Sequence, residues 1–424
     1  MKWERINDAM YHNSMHLAAK RQQKSIQQRI WKKEYRSLLA FENLIYYNLE
    51  TSDAVLTNNN DIQIFIEGNE LFNVLKETIE KATVYIHIQY YIIRYDEMWM
   101  EIEKILLKKA KQGVEVRILY DAMGSRQVPK SHWKKIKKSG IQVAAFFPPI
   151  IGKVQLKLNY RNHRKIIVVD GKVGFLGGFN IGREYLGKKK KFGKWRDTHL
   201  QIMGAAVTSL TLRFALDWNY ATRENIFTKN HLFQIPKYEK YGNTALQIIA
   251  SGPHSNRQQI RNNYIVLISQ AKHHIYIQSP YFIPDRAMMD VLKRALKRGV
   301  KVRIMIPCKP DHMFVYWATY GYVGELINRG AKCYIYENGF LHSKVLTVDG
   351  NATCCGTANM DIRSFKLNFE VNATVYNQAF TKEMEELFRK DIKKSKYITK
   401  KIYNRRGIKI RVKEKISQIF TPIL

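Results

Sequence analysis

The sequence has few cysteines and no long apolar run. Its 424 residues include four cysteines, none in a C-x-x-C pair, which argues against a disulfide framework or a zinc site and fits a reducing compartment. We interpret the adjacent Cys354 and Cys355 as small core residues of a strand. No window of about 20 apolar residues occurs, and the N-terminus has no apolar centre, so neither a membrane-spanning helix nor a signal peptide is predicted.

Acidic residues are also scarce relative to basic ones. Asp and Glu number 36 against 71 Lys and Arg, which gives a formal net charge of +35. Such an excess indicates a polyanionic partner, either nucleic acid or an anionic membrane, and charge alone does not distinguish the two. Apolar residues make up 45% of the chain, which is enough for a sizeable core.

One segment occurs twice. HRKIIVVDGKVGFLGGFN begins at His163 and HSKVLTVDGNATCCGTAN begins at His342, so the same pattern recurs 179 residues later (342 − 163). Similar strands precede both copies, as in GVEVRILYD from Gly113 and GVKVRIMIP from Gly299. Repetition over this length indicates a duplicated domain rather than a short-period solenoid.

The alternation of strands and helices predicts an α/β fold. Met100–Gln112 and Met288–Arg298 have helical periodicity, and each is followed by a glycine that stops the helix. Near-continuous apolar strands indicate sheets covered by helices. We therefore expect two similar lobes, each a mixed sheet flanked by helices, related by a pseudo-twofold axis. The expected units are a basic N-terminal helical segment (1–55), a first lobe (56–235, motif 158–185), a second lobe (236–395, motif 337–364) and a basic amphipathic C-terminal tail (396–424).

The tail combines cations with regularly spaced apolar residues. Between Lys393 and Lys415 there are eleven Lys or Arg and one acid, Glu414. Two interpretations stand side by side: a basic amphipathic segment on a membrane surface, or a solvated tail that packs on its own domain. The apolar residues concerned are Ile408, Ile410, Val412, Ile416, Ile419 and Phe420.

The repeated residues suit phosphoryl transfer. HRKIIVVDG predicts a strand that ends in an Asp-Gly turn, with histidine and lysine on one face. Two lobes facing each other would bring both copies to one anion, where lysines supply charge and asparagines supply amide donors. One histidine would attack phosphorus while the other transfers protons, which needs no metal or cofactor. The residues concerned are His163, Lys165, Asn180, His342, Lys344 and Asn359.

Four acids accompany the motifs. A nucleophilic histidine needs an acceptor at its second ring nitrogen, and we predict that Asp197 in WRDTHL and Glu370 in NFEVN supply it. Asp170 and Asp349 allow two interpretations, as catalytic groups or as residues that build the Asp-Gly turns.

The two copies of His-x-Lys-x4-Asp resemble the signature of the phospholipase D superfamily. Within it the chain resembles the bacterial cardiolipin synthases over roughly residues 44–377. The segments that carry this second resemblance are IHIQYYIIR (86–94), YDAMGSR (120–126), LNYRNHRKI (158–166), GGFNIGREYLG (177–187), WRDTHL (195–200), PYFIP (280–284), PDHMFVYWAT (310–319), YENGFLHSK (336–344) and GTANMDIRSFKLNFEVN (356–372).

This resemblance implies two phospholipase D-like lobes and a phosphatidyltransferase. Such an enzyme transfers a phosphatidyl group from one phosphatidylglycerol to another, through a phosphohistidine, to give cardiolipin and glycerol. It implies that His163, Lys165, Asp170, His342, Lys344 and Asp349 are catalytic. Analogy favours His163 as the nucleophile, although the residues alone do not decide between the histidines. The expected partners are phosphatidylglycerol and anionic membrane lipid, not nucleic acid, and the oligomeric state is left open.

The chain departs from the family pattern in two respects. The family usually begins with two transmembrane helices, which are not found here. Either the gene start lies upstream, or this is a truncated or peripheral form, and for the chain as given we expect a peripheral protein at the cytoplasmic face of the cell membrane. Arg183 occupies a position where the family usually has an acid.

Two other functions use the same sequence features. A phospholipase D-type phosphodiesterase would hydrolyse phospholipid or nucleic acid with the same residues, using water as the acceptor. Besides the resemblance, only the aromatic-rich FVYWATYGY (314–322) favours the transferase, as one wall of an acyl groove, and a core helix is the alternative interpretation. A non-catalytic binding protein would be expected to have lost a motif residue, and both motifs are intact.

Overall fold

The chain folds into two mixed α/β lobes. This computed structural model describes residues 9–28, 36–148, 159–189, 191–229, 241–309 and 312–419. The helices are α1 (Ala9–Gln27), α2 (Glu42–Ser52), α3 (Gly68–Glu80), α4 (Glu97–Lys111), α5 (Lys130–Lys138), α6 (Ala206–Thr222), α7 (Gln259–Gln270), α8 (Arg286–Lys297), α9 (Met313–Asn328), α10 (Ile362–Lys366), α11 (Gln378–Ile392), α12 (Lys400–Asn404) and α13 (Ile408–Ile419).

Within these described ranges, twenty strands lie between the helices, with short 3₁₀ turns at Arg36–Phe41, Arg183–Leu186 and Ile226–Thr228. The strands are β1 (Asn60–Phe65), β2 (Tyr85–Tyr90), β3 (Glu115–Asp121), β4 (Gln142–Phe146), β5 (Arg161–Asn162), β6 (Ile166–Val169), β7 (Val173–Gly177), β8 (Trp195–Arg196), β9 (His199–Gly204), β10 (Ala245–Ser251), β11 (His274–Gln278), β12 (Phe282–Ile283), β13 (Lys301–Pro307), β14 (Lys332–Tyr336), β15 (Phe340–Leu341), β16 (Val345–Val348), β17 (Ala352–Gly356), β18 (Met360–Asp361), β19 (Asn368–Tyr376) and β20 (Ser395–Ile398).

The two large sheets have equivalent topology. The first has the order β1-β9-β7-β6-β2-β3-β4, and the second has the order β10-β19-β17-β16-β11-β13-β14 followed by β20 at its edge. In each, the β2–β3–β4 or β11–β13–β14 part is parallel and the pairs before it are antiparallel. The prediction of two similar lobes with mixed sheets is therefore confirmed.

Helix α8 shows how local sequence sets these elements. Asp285 caps its start by accepting a hydrogen bond from the Met288 backbone at 3.0 Å. Met288, Leu292 and Ala295 recur at helical spacing and are buried against the second sheet's core. The helix ends before Gly299, which has a φ of 86° that disfavours other residues. The predicted helices at Met100–Gln112 and Met288–Arg298 both form, as α4 and α8.

The N-terminal helices pack against the second lobe. On α2, the Asn48 side chain donates hydrogen bonds to the side-chain oxygens of Gln247 and Asn263, at 3.1 and 2.9 Å. All three residues are fully buried. Residues 199 and 215 positions apart in sequence therefore share one polar network, in the same core that contains Leu44 and Leu49 of α2.

Two short parallel strand pairs join the lobes. Strand β5 of the first lobe pairs with the start of β19, with Arg161 opposite Asn368. Strand β15 of the second lobe pairs with β8, with Phe340 opposite Trp195. Each pair lies directly before one of the repeated histidines, so the joints between the lobes also position the motifs.

At the C-terminal end, β20 extends the second sheet by pairing with β14, and α12 and α13 follow. Of the predicted tail, residues 420–424, which include Phe420, lie outside the described residues, as do residues 1–8 and 29–35 of the N-terminal segment. Within the described ranges, none of the helices combines the length and the apolar character needed to cross a bilayer.

Candidate active site

Each His-x-Lys pair lies in a link between two strands, not within one strand. The predicted strand at HRKIIVVDG begins only at Ile166, and the second begins at Val345. The reason is that the residues before each strand pair with the other lobe. The His163 backbone N–H donates to Phe369 O at 2.9 Å, and that of His342 donates to Arg196 O at 2.7 Å.

Each histidine is hydrogen bonded to a carboxylate from the opposite lobe. His163 Nδ1 lies 2.9 Å from Glu370 Oε2, and His342 Nδ1 lies 2.6 Å from Asp197 Oδ2. Both carboxylates are completely buried. An acceptor at Nδ1 fixes the tautomer that carries a proton there and leaves Nε2 as the nucleophilic nitrogen. The arrangement is crossed, because the acid that follows one motif serves the histidine of the other.

The two carboxylates are held differently. Thr357 donates its hydroxyl to Glu370 Oε2 at 2.6 Å. The corresponding residue near Asp197 is Gly178, where an added Cβ would lie 2.0 Å from Asp197 Oδ1. Asp197 is instead bonded by the Thr198 backbone N–H at 2.8 Å. Gly178 is therefore required by close approach, and the two halves reach the same result with different side chains.

The lysines are buried beside the histidines. Lys165 Nζ donates to His163 O at 2.8 Å, and Lys344 Nζ lies 2.8 Å from His342 Nδ1. Since the His342 Nδ1 proton is directed to Asp197, this second distance is a close approach of the ammonium group to the carboxylate–imidazole pair. Two positive charges at the centre of a buried site favour an anionic ligand.

Burial dominates the electrostatics of the site. It lowers the pKa of His163 to about 4, against the opposing effect of Glu370, and it lowers the pKa of Lys165 to about 7. The pKa of His342 is also lowered, by burial and by Lys344. Burial would raise the pKa of Glu370, but His163 and Lys165 outweigh it, so this carboxylate stays ionised. Without an anionic ligand, both imidazoles are therefore neutral at pH 7.

Both histidines open into one cavity of about 630 Å³. Asn180 and Asn359 line it too. The Asn180 amide donates to the Tyr185 hydroxyl at 3.1 Å and accepts from the Ile92 N–H, whereas Asn359 Oδ1 has no hydrogen-bond partner among the described residues. Across those residues no cluster of three or more His, Cys, Asp or Glu is arranged to hold a metal ion.

Asp170 and Asp349 lie away from this centre. Strand β6 separates Asp170 from the link that contains His163. Its carboxylate accepts hydrogen bonds from the backbone N–H groups of Thr83, Val84 and Tyr85 at 2.7–2.8 Å. Asp349 binds the corresponding N–H groups of residues 272–274. Both have a left-handed φ, 53° and 54°. The structure brings neither to the histidines, and their contacts are those of turn-building residues.

The sequence did not single out the side chains that surround the imidazoles. The Tyr91 ring packs 4.9 Å from His163, and the Trp195 ring packs 5.2 Å from His342. Trp195 was visible as the neighbour of Asp197 in WRDTHL, but its contact is with a residue 147 positions away (342 − 195). Of the aromatic-rich 314–322, Phe314 and Val315 line the cavity, whereas Ala318 and Thr319 are buried in the core.

Comparison with known proteins identifies the family. Residues 75–192 and 264–392 match the phospholipase D-like domain of cardiolipin synthase. A cardiolipin synthase of Oceanobacillus iheyensis is 49% identical over 91% of this chain and 80% of its own length. The chain belongs to the cardiolipin synthase family. The major cardiolipin synthase of Bacillus subtilis is 45% identical, over 92% of this chain and 81% of its own length.

A solved structure supports the fold. A phosphatidylserine synthase of Haemophilus influenzae superposes with a TM-score of 0.67 over 90% of this chain and 98% of that one, at 14% identity.

Arg183, which departs from the family pattern, does not line the histidine cavity. Its N–H donates to Asp96 Oδ2 at 2.7 Å, and its side chain is 64% exposed, 3.8 Å from Glu97.

Proposed function

We propose that this chain joins two phosphatidylglycerol molecules in two displacements at the paired histidines. In the first, Nε2 of one histidine attacks phosphorus, the bond from phosphorus to the glycerol oxygen breaks, and the other histidine protonates that oxygen. In the second, the terminal hydroxyl of another phosphatidylglycerol gives its proton to the same histidine and attacks phosphorus, and the bond to nitrogen breaks. Cardiolipin and glycerol result, and both histidines regain their starting states.

The single observation that carries this proposal is the crossed histidine–carboxylate pairing. Glu370 and Asp197 favour the imidazolium form of their partners, and a phosphodiester anion between the rings adds to that effect because opposite charges attract. Asn180 and Asn359 line the cavity, and Lys165 and Lys344 are buried beside the histidines. These four groups would stabilise the charge on the transferring phosphoryl group. We assign no catalytic step to Asp170 or Asp349.

Product analysis of the purified chain tests this function. Vesicles of labelled phosphatidylglycerol should yield cardiolipin and one equivalent of glycerol, and His163→Ala or His342→Ala should each lower the rate by at least about 10³-fold, because each displacement needs both groups. Asp170→Asn is the matched control. If phosphatidic acid forms instead, water is the acceptor and the chain is a hydrolase; activity that survives either histidine substitution would overturn the mechanism.

We also propose that α13 contacts an anionic bilayer surface. Ile408, Val412, Ile416 and Ile419 are 44–78% exposed, and at 3.6 residues per turn they occupy a sector of roughly 80°. The one acid of this helix, Glu414, is buried on the opposite side against Tyr403 and Arg406. The exposed surface thus carries an apolar stripe with cations on both sides, the pattern of helices that lie in a membrane interface. The flanking cations are Lys409, Arg411, Lys413 and Lys415.

This surface adjoins the entrance of the site. Helix α13 packs along α9, where Lys413 Nζ lies 5.2 Å from the Trp317 ring. The first residues of α9, Met313 and Phe314, line the cavity and are 53% and 56% exposed. A bilayer on α13 would therefore lie close to where lipid headgroups enter.

A further inference from the structure

The two joints between the lobes are equivalent in position but different in chemistry. In one, Phe340 stands opposite Trp195, and both rings lie against His342, at 5.9 and 5.2 Å. In the other, Arg161 stands opposite Asn368. Arg161 lies two residues before His163, and Asn368 Nδ2 donates to Glu370 Oε1 at 3.1 Å. The joint beside His342 therefore contributes Trp195 to the cavity wall, with Phe340 packed behind it, whereas the joint beside His163 contributes Arg161 and Asn368.

A second pair of equivalent positions also differs between the lobes, here in the sign of the charge. The 179-residue separation of the motifs relates Glu184 to Arg363 (363 − 184), and both line the cavity. Glu184 is ion-paired with Arg94 at 3.2 Å and Lys189 at 3.0 Å, so the acid offsets the cations of the first lobe's turn. The second lobe places a guanidinium group where the first places this carboxylate.

The polar end also has a buried acceptor. Asn368 is 5% exposed, and its Oδ1 has no hydrogen-bond partner among the described residues. The nearby acid, Asp361, is bonded to the Ser364 backbone N–H at 2.6 Å as a helix cap. Arg363 Nη2 donates to Asn159 O at 3.3 Å, two residues before Arg161, and Arg161 Nη1 donates to Tyr160 O at 2.7 Å. Both guanidinium groups therefore belong to the same end of the cavity as Asn368.

The chemistry of the reaction requires such an asymmetry. When one phosphatidyl group is bound to histidine, the incoming phosphatidylglycerol brings a second phosphate, joined to its attacking hydroxyl through three glycerol carbons. This phosphate does not react, but it needs compensating charge in a partly buried site. Glycerol, the other alcohol in the reaction, carries no charge. One end of a pseudo-symmetric cavity must therefore differ from the other if lipid is to be favoured over glycerol as the acceptor.

We propose that Arg161, Arg363 and Asn368 form the binding site for the acceptor lipid. The two guanidinium groups bind its phosphate, for which their planar donor geometry is suited, and Asn368 Oδ1 accepts a hydrogen bond from the secondary hydroxyl of its glycerol. Trp195 lies in the opposite wall, with Phe340 packed behind it. This inference rests on the proposed phosphatidyl transfer and assigns the choice of acceptor to residues outside the two motifs. An acceptor at the His163 end makes His163 the histidine that takes the proton of the attacking hydroxyl and His342 the nucleophile, the reverse of the order that the family analogy favours.

Two reactions that share the donor but differ in the acceptor test this site. Exchange of labelled glycerol into phosphatidylglycerol uses an uncharged acceptor, whereas cardiolipin formation uses a charged one. Arg161→Gln and Arg363→Gln should each lower cardiolipin formation by about 10- to 100-fold, the range for loss of a charged hydrogen bond, and change glycerol exchange by less than about twofold. Arg363→Lys should lose less than Arg363→Gln. The exposed Arg183→Gln is the matched control and should change neither rate.

The exchange reaction also distinguishes a wrong acceptor-site assignment from a wrong proposal of phosphatidyl transfer. Equal loss of both reactions would mean that the arginines act on the reacting phosphate or on folding, and unchanged cardiolipin formation would mean that they do not bind the acceptor; either result overturns the assignment. Wild-type protein that catalyses neither reaction would instead contradict the proposed transfer itself.

Discussion

At the scale of single residues, the site depends on how two buried carboxylates are satisfied. A buried anion is costly unless it is paired, and Glu370 and Asp197 are each paired with the histidine of the other lobe. The same contacts that make burial tolerable also orient the imidazoles. Removing either partner therefore affects catalysis and stability together, and the two effects have to be measured separately.

Glu370→Gln and Asp170→Asn distinguish catalytic from structural acids. We expect Glu370→Gln to lower kcat by about 10²- to 10⁴-fold, because the amide no longer fixes the imidazole tautomer. Asp170→Asn should lower the free energy of unfolding by about 1–2 kcal/mol through weaker bonds to the backbone of β2, while kcat of the folded protein stays near wild type. Urea unfolding and kcat measured on the same samples separate the two. A collapse of kcat in folded Asp170→Asn would restore a catalytic role to this residue.

The charge of Lys165 gives the reaction a pH dependence. Because burial lowers its pKa to about 7, Lys165 is cationic below that pH and neutral above it. We expect kcat/KM for a soluble short-chain phosphatidylglycerol to fall as pH rises through about 7. His163, with a pKa of about 4, has already lost its proton and does not produce this fall.

Lys165→Arg provides the control for that assignment. Arginine stays charged throughout this range, so the variant should lose the fall near neutral pH even if its overall rate is lower. The same fall in both proteins would assign the titration to another group.

At the scale of elements, α13 is amphipathic in an unusual sense, since its acid faces inward and its apolar residues face outward. Glu414 gains partners in Tyr403 and Arg406, while Ile408 is 78% exposed. Packing on α9 therefore does not account for the apolar stripe.

Replacing three residues of the stripe should weaken membrane binding without affecting chemistry. We expect Ile408→Ser, Val412→Ser and Ile419→Ser, combined, to reduce sedimentation with phosphatidylglycerol vesicles by at least about tenfold, because each loses about 1 kcal/mol or more of apolar burial in the interface. Turnover of soluble short-chain substrate should be unchanged. Val84→Ser and Met123→Ser, at exposed apolar positions of the first lobe, are matched controls. Vesicle binding that survives the triple substitution would contradict the α13 proposal.

At the scale of the whole molecule, one chain supplies both halves of the site. The β5–β19 and β15–β8 pairs and the crossed carboxylates all connect the two lobes of the same chain. Neither lobe orients its histidine on its own, because the carboxylate bonded to each histidine comes from the other lobe.

Mixing the two inactive histidine variants should therefore not restore activity. Each His163→Ala chain lacks one half of its own site, and so does each His342→Ala chain. Co-expressed or refolded mixtures should stay at the background of the separate variants in the labelled phosphatidylglycerol assay. Recovery toward a quarter of the wild-type rate would mean that lobes exchange between chains.

The sequence by itself determined the duplicated α/β plan and the residues that meet at the site. Periodicity predicted α4 and α8, and two copies of His-x-Lys with the same spacing indicated one shared centre. Both predictions depend only on residue type and on spacing along the chain. It also predicted that Asp197 and Glu370 accept hydrogen bonds from the histidines, although it did not assign each acid to its histidine.

Only the tertiary structure decided which acid serves which histidine. That pairing depends on contacts between residues 145 and 207 positions apart, and sequence spacing carries no information about contacts across an interface. The same reason separates Asp170 from the site: it is close to His163 along the chain, but the extended strand between them carries it to the other end of the sheet. The difference between the Arg161–Asn368 and Phe340–Trp195 joints likewise became visible only once the register of the strands was known.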